Sequence, residues 1–365
     1  MISRRMFHRS LAVISTLGGE AAFAQALRAL PRPAPADAVW LNANENPEGP
    51  PPASIEAMKA VLTESNRYHF QEFGPFHATV ARSEGLEAGQ VLVGAGSSEV
   101  IHAAIDAFTS SDRPLVVMEP TFELAARLAE AAGRNVIPVP LSEGYYADVK
   151  RLAAEAASNR AGLVYVCNPN NPTSALTPPA DIDWLVETLP RETVLMVDEA
   201  YIHFTSTVSA LAHVRKNRSV VVARTFSKIY GMAGLRVGFA CARPDLIEKM
   251  RPFRDSVVSI VSQRAVEAAL ADAPAILKTR RQKFDAVRAD LCAWLRKREL
   301  RYVEPHGNFV MFDIGQEAGP FAGKLAGRGV MVGRPFPTLR TMMRVTLGTE
   351  AEMAKFKQAF EAVWS

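Results

Sequence analysis

Lys228 stands in "RTFSKIYGMAGLRVGF", directly after the β-branched run Ser219-Val-Val-Val-Ala223. An exposed lysine is a solvated charge and needs no further explanation. This one is surrounded by Phe226, Ile229, Tyr230 and Met232. Partial desolvation disfavours the ammonium and leaves a nucleophilic amine. The chemistry open to such an amine is Schiff-base formation with an aldehyde. A second group lies in "VLMVDEAYIHF", where Asp198 ends an apolar run. A carboxylate there either caps a following helix or needs a cation as partner. A protonated pyridine nitrogen is such a cation, and Tyr201, three residues on, would reach a phenolate oxygen on the same ring. A third group is "VGAGSSEV". Gly94 and Gly96 allow close backbone approach there, and Ser97 and Ser98 open a helical stretch through Ala104, whose first N–H groups suit an anion. Ser227 and Arg236 flank Lys228 and complete an anion clamp, the guanidinium offering two-point contact with phosphate. An aldehyde, an acidic ring nitrogen and a phosphate occur together in pyridoxal phosphate.

The elements that must position these groups are legible as apolar runs between Gln90 and Cys241. The runs are Val91–Val93, Leu115–Met118, Leu163–Cys167, Val194–Val197, Val220–Ala223 and Val237–Cys241. Each of the first five is followed by polar or turn residues: GAGSSE, EPTF, NPNNPT, DEAY and RTFSK. Short β-branched runs without alternation predict strands covered on both faces, hence an α/β fold with a mostly parallel sheet flanked by helices. Ligands gather at the carboxyl ends of such strands. After Arg251 the pattern changes to a long helical stretch, Gln263 to Arg298, with a break near Pro274. Strand-like pieces follow at Asn308–Phe312, Gly329–Val332 and Met343–Leu347, and an amphipathic helix runs from about Ala351 to Trp364. This predicts a large cofactor-binding domain with an N-terminal arm over 38–250 and a smaller α+β domain over 251–365.

The chain has 365 residues, 48% of them hydrophobic, enough for a large core. With 42 basic and 38 acidic residues the net charge is only +4, and no basic stripe suits nucleic acid. Cys167, Cys241 and Cys292 are widely spaced and odd in number, which predicts reduced buried thiols. The histidines form no metal-ligand spacing, so no metal site is expected; His203 reads as a structural donor. No run in the mature chain is long enough to span a bilayer. Residues 1–35 differ in kind. A basic start, a short apolar stretch from Leu11 to Leu17 interrupted further on by Glu20, and Ala22-Phe-Ala24 have the layout of a secretory signal. Ser3-Arg4-Arg5-Met6-Phe7 resembles the twin-arginine export motif. Periplasmic export is expected, with a cytoplasmic location as the alternative. Pro31 to Pro35 reads as a linker.

The ordered motifs LNANENP, NRY, GAGSSE, PTF, NPNNPT, DEAY, TFSK with GLRVGF, and MRVTLGT resemble those of fold-type I pyridoxal-phosphate aminotransferases. Within them the sequence resembles the histidinol-phosphate aminotransferase-like group, over nearly the whole chain after the leader. The resemblance implies a transaminase that moves an amino group between an L-amino acid and a 2-keto acid. It implies Lys228 as the Schiff-base lysine and general acid/base, Asp198 as partner of the ring nitrogen, and Tyr201 and Asn171 as donors to the phenolate oxygen. Phe122 stands where the family usually has a stacking tyrosine. Ser97, Ser98, Ser227 and Arg236 match the phosphate cradle, with Thr225 among the cofactor-binding residues. Tyr68 matches a tyrosine that reaches the phosphate from the neighbouring subunit, so a homodimer is implied. Arg344 matches the clamp on the substrate α-carboxylate, Arg334 a position that meets a substrate's distal group, and Asn44 also falls on the substrate side.

Two positions depart from the family pattern. Glu48 follows "NENP" where an aromatic is common, near the expected substrate entrance. Ser174 ends "NPNNPT" where a glycine is common, a change tolerable with φ below zero. Export argues against histidinol phosphate, an intermediate of a cytoplasmic pathway, and favours an amino acid with an aromatic or other bulky side chain. A lyase or decarboxylase on the same scaffold would also need Lys228 and Asp198. A non-catalytic regulator would lack the lysine or carry a DNA-binding module, and neither is seen.

Overall fold

The computed structural model describes residues 37–364; the expected export signal and linker lie outside the described residues. The strands are β1 (Val39–Leu41), β2 (Val91–Gly94), β3 (Leu115–Glu119), β4 (Val136–Pro140), β5 (Leu163–Cys167), β6 (Val194–Asp198), β7 (Val220–Thr225), β8 (Gly238–Cys241), β9 (Phe309–Asp313), β10 (Val330–Val332) and β11 (Met342–Thr346). Seven of them form the central sheet in the order β2-β8-β7-β6-β5-β3-β4. The run from β7 to β4 is parallel, and β8 is antiparallel to both its neighbours.

Every residue of β5, β6, β7 and β8 is buried. That is why these strands read as unbroken apolar runs: helices cover both faces. Burying each aliphatic side chain such as Val221 or Val222 contributes about 1.5–3 kcal/mol. Two features escaped the sequence reading. β4, "VIPVP", carries Pro138 and Pro140 and so lacked a strand signature; it lies at the sheet edge, where missing N–H donors are tolerated. The direction of β8 follows from its connection. Thr225 pairs with Gly238, so the loop carrying Ser227, Lys228 and Arg236 is closed at its base by the sheet itself.

After the sheet, two helices, α1 (Ile260–Ala271) and α2 (Ala273–Lys297), break at Asp272, with proline in the first turn of the second. β9 and β11 pair antiparallel, setting Arg344 opposite Met311 and Thr346 opposite Phe309. β10 pairs in parallel with β1, Val39 opposite Val330. The residues that follow β1, Asn42 to Asn46, are thereby drawn across the C-terminal strands toward the central sheet. The final helix, α3 (Glu350–Trp364), stacks Phe360 on Trp364 at 5.1 Å and sets it edge-on to Trp294.

Candidate active site

The carboxyl ends of β5, β6 and β7 form the floor of a cavity of about 370 Å³. Every expected site residue other than Tyr68 lines it. Asp198 is the last residue of β6 and is buried. Its Oδ2 accepts a hydrogen bond from the Tyr165 hydroxyl at 2.7 Å and its Oδ1 one from the Ala200 N–H at 3.1 Å. No cation among the described residues pairs with it. Burial pushes its carboxyl above the usual range, against the opposing pull of those two donors. Tyr165, on the neighbouring strand, was not singled out from sequence. A phenol inside an otherwise aliphatic run signals a buried partner, and that signal was available.

Lys228 is half-buried, its Nζ donating to the Ala43 carbonyl at 3.2 Å and standing 5.7 Å from the centre of the Tyr201 ring. Burial first, then the positive charges of Arg344 and Arg236, lower its pKa from 10.5 to about 8, with Glu45 and Asp198 opposing. The amine therefore loses its proton far more readily than an ordinary lysine, and is mostly neutral only above about pH 8. Tyr201 is buried edge-on to Phe309, and its hydroxyl accepts from Asn44 Nδ2 at 3.0 Å, leaving its own proton to donate.

The roof comes from the N-terminal arm and the C-terminal strands. Asn44 adopts left-handed backbone, φ 54°, and is held from three sides. Its N–H donates to Thr346 Oγ1 at 2.9 Å, its Oδ1 accepts from that hydroxyl at 3.2 Å, and its carbonyl accepts from Asn308 Nδ2 at 3.1 Å. Arg344 is buried, donating to Asn171 Oδ1 at 2.7 Å and the Asn42 carbonyl at 2.6 Å. Its Nε is buried without a partner. Asn171 spends its carbonyl oxygen on Arg344, so its amide nitrogen remains free to donate.

The anion end is built from backbone turns. The helix Ser97–Phe108 starts after Gly96 at φ 84°, and a Cβ on Gly96 would lie 2.3 Å from the Arg236 guanidinium. A Cβ on Gly238 would lie 2.2 Å from the Ser97 N. These two glycines let the helix start sit against the Lys228 loop. Within that loop Thr225 Oγ1 donates to Ser227 Oγ at 2.8 Å and accepts from the Ser227 N–H at 3.0 Å, while Arg236 Nη1 reaches Ser227 Oγ at 3.4 Å. Phe122 lies in the wall after β3.

Some expectations fail or shift. Ser174 has φ 65°, not below zero. The strain is offset because its Oγ accepts from the N–H groups of Gly307 at 2.8 Å and His306 at 3.1 Å. Glu48 does not line the cavity; it pairs with Lys283 and stands 3.7 Å from Arg280. Tyr68 is exposed, stacked on Phe70 at 5.2 Å and away from this chain's own cavity. His203 is kept neutral by burial, its pKa lowered to about 3. Sequence reasoning also passed over Glu123 and Phe336, which line the cavity beside Arg334.

The residues present fit pyridoxal phosphate. A buried carboxylate without a cation faces the cavity beside an amine of lowered pKa. The serines, the helix start and Arg236 supply the donors a phosphate requires.

The family model for class I and II aminotransferases matches residues 36–360. A histidinol-phosphate aminotransferase of Symbiobacterium thermophilum is 36% identical over 330 residues, 89% of this chain and 90% of that protein. An aromatic amino acid aminotransferase of Cutibacterium acnes is 32% identical over 301 residues, 80% of this chain and 84% of that protein. The crystal structure of a histidinol-phosphate aminotransferase from Sinorhizobium meliloti in complex with pyridoxal-5'-phosphate superposes with a TM-score of 0.83 at 24% identity, covering 93% of this chain and 96% of that one, and shows the shared fold. The cavity chemistry and these matches agree: the chain belongs to the class I and II aminotransferases of fold type I and is a pyridoxal-phosphate-dependent transaminase.

Proposed function

We propose that the enzyme takes its amine from an L-α-amino acid with an uncharged, bulky side chain, that Lys228 moves the α-proton, and that Asp198 answers the cofactor's ring nitrogen. The observation that carries the reading is the convergence of an amine of lowered pKa, a cation-free buried carboxylate and a buried guanidinium on one cavity.

When bound, pyridoxal phosphate supplies an aldehyde carbon that receives the amine and a ring that takes up electrons from the α-carbon. The chain's own residues do the rest. Arg344 clamps the donor's carboxylate, and its unpartnered Nε gives the fork a free donor. This fixes which face of the α-carbon points at Lys228. Lys228 Nζ, its pKa lowered to about 8, takes the α-proton as a general base, a contribution of about 10²–10⁴-fold. Asp198, held by Tyr165, keeps a negative charge where the ring nitrogen must stay protonated. Tyr201 and the Asn171 amide donate to the ring oxygen. Ser97, Ser98, Ser227, Thr225 and Arg236 hold the phosphate, and Asn44 buttresses Tyr201.

Histidinol phosphate is a second reading, favoured by the names of the relatives in Symbiobacterium thermophilum and Nitrosococcus oceani. It would place a phosphate rather than a carboxylate against Arg344. Exposed Tyr68 and Phe70 suit a contact with a second copy, in which Tyr68 would reach the partner's phosphate site; a homodimer is part of the proposal. Export by the twin-arginine route is also proposed, from Arg4 and Arg5. Replacing both by lysine should leave the protein in the cytoplasm on fractionation.

The test uses leader-trimmed, cofactor-loaded protein mixed with single amino donors while its yellow colour is followed. Bulky neutral L-amino acids should bleach it and yield the matching keto acid, and Lys228→Ala should do neither. Bleaching by histidinol phosphate alone would favour the second reading. Release of carbon dioxide in place of a keto acid would overturn the proposed reaction.

A further inference from the structure

Of the three guanidinium groups that line the cavity, Arg236 serves the anion end, and the other two differ in what already satisfies them. Arg344 is buried and has a free Nε. Arg334, at the mouth, is half-exposed, and its Nη2 lies 2.5 Å from Glu123 Oε1. Both stand over the same Phe336 ring, Arg344 at 5.5 Å and Arg334 at 4.5 Å from its centre. Arg334 is further tied by a hydrogen bond from Nη1 to the Pro335 carbonyl at 3.1 Å. Glu123 sits at the start of the helix Leu124–Ala131, next to Phe122 in the wall of the cavity.

Behind this pair lies a second cavity of about 410 Å³, which shares Thr121, Glu123 and Phe336 with the first. Its charged lining is Glu119, Glu123 and Glu130 against Arg127 alone. Its other walls include Val117, Met118, Val136 and Pro138. The wall beside Phe336 is thus apolar with an acidic bias, and Arg334, the cation on that side of the first cavity, is already answered by Glu123.

We infer that Glu123 is a specificity-determining residue. By neutralising Arg334 it leaves the mouth beside Phe336 without a free cation and turns away donors that carry a second anion, whether a side-chain carboxylate or a phosphate. Such a donor must draw Arg334 from Glu123 and then sit beside the released carboxylate, where like charges repel. A neutral side chain enters without disturbing the pair and packs on Phe336. This deepens the proposed function and rests on it.

The test compares L-phenylalanine, L-leucine, L-glutamate and histidinol phosphate in single half-reactions of the holoenzyme, for the wild type, Glu123→Gln, and Glu123→Gln combined with Arg334→Gln. In Glu123→Gln the ratio of kcat/KM for glutamate to that for phenylalanine should rise about tenfold or more, while histidinol phosphate, whose one anion meets Arg344, should not gain. The gain should vanish in the double variant, because the freed guanidinium is its source. Succinate, a dicarboxylate that cannot donate an amine, should bind about tenfold tighter to Glu123→Gln, read from the shift in the cofactor's visible band. Ratios taken within each variant are insensitive to losses of folded protein. An unchanged ratio, or a gain that survives loss of Arg334, overturns the inference. Failure of every donor in every variant overturns the proposed function, and the inference with it.

Discussion

Asp198 and Glu199 are consecutive, both buried, and opposite in fate. Glu199 is 2% exposed on its side chain and is met on every side. Arg224 donates to its Oε2 from Nε at 3.1 Å and Nη2 at 2.8 Å, Ser209 donates to the same oxygen at 2.7 Å, and the Ala210 N–H donates to Oε1 at 2.7 Å. Arg224 in turn reaches Glu84 at 2.6 Å. Although burial opposes it, the two carboxylates hold that guanidinium firmly charged. Asp198 has a phenol and one backbone N–H. The strand's alternation sends one carboxylate behind the sheet, where the chain completes it, and the other into the cavity, where the chain leaves it short of a cation. A buried charge that a protein declines to neutralise is a demand for a ligand, and its neighbour shows that this fold neutralises buried charge elsewhere.

The contrast is broken most directly by exchanging the readouts. Arg224→Met leaves Glu199 and Glu84 without their cation and should cost about 3–5 kcal/mol of stability. Asp198→Asn removes an unanswered charge, so the cofactor-free chain should melt no lower than the wild type. Its turnover should fall about 10²–10³-fold, the range for losing one preorganised electrostatic partner. Thermal melts of both cofactor-free variants, with half-reaction rates for the second, decide the matter. If Asp198→Asn destabilises the chain as much as Arg224→Met, the two carboxylates play the same structural part and the argument fails.

Tyr165→Phe sharpens the same point. The Tyr165 hydroxyl favours the charged form of Asp198, so its loss should raise an already elevated pKa further. Turnover should fall about tenfold, matching a hydrogen bond to a charged group of about 1.5–3 kcal/mol only partly expressed in the rate. The acid limb of the pH-rate profile should move to higher pH, a shift that a purely structural tyrosine would not produce.

Lys228 gives the next largest effect. In the cofactor-free chain its amine should titrate near pH 8, measured as the pH dependence of its modification by an amine reagent. Arg344→Gln removes a positive neighbour and should move that titration upward; Asp198→Asn removes a negative one and should move it downward. Because the folded pKa is depressed, the unfolded chain binds more protons between about pH 8 and 10.5, and this residue's contribution makes stability rise with pH across that window.

Much of this arrangement is legible in the sequence. Apolar runs ending in DEAY and RTFSK placed Asp198 and Lys228 at strand ends, because a strand covered on both faces can carry polar residues only where it stops. The same reasoning could not say which of Asp198 and Glu199 faces the cavity. That depends on which strand face the helices and the Lys228 loop occupy. Tyr165 is passed over when a tyrosine in an apolar run is read as bulk and its hydroxyl is not asked for a partner, and Glu123 because its role depends on Arg334, more than 200 positions away. Short-range pattern finds groups whose chemistry is local; it misses those defined by a partner that only the fold brings near.

Ser174 repeats the contrast among neutral groups, with the smallest effect. Its left-handed backbone costs a residue bearing a Cβ roughly 1 kcal/mol relative to glycine. Its hydroxyl supplies acceptors to two backbone donors. His306 N–H also has the Ser174 carbonyl at 2.9 Å, so it survives loss of the hydroxyl. The buried Gly307 N–H has no other acceptor within the described residues. Ser174→Gly relieves the backbone but orphans that donor at a cost of about 1–3 kcal/mol, for a net loss of about 1 kcal/mol. Ser174→Ala keeps the strain and loses the acceptor, so it should be the less stable of the two by roughly 1 kcal/mol. The order wild type, Gly, Ala in denaturant midpoints follows if the hydroxyl answers the buried donor. Glycine above the wild type would mean that the backbone strain outweighs it, and that this buried donor, like the carboxylate of Asp198, is left for something outside the chain to satisfy.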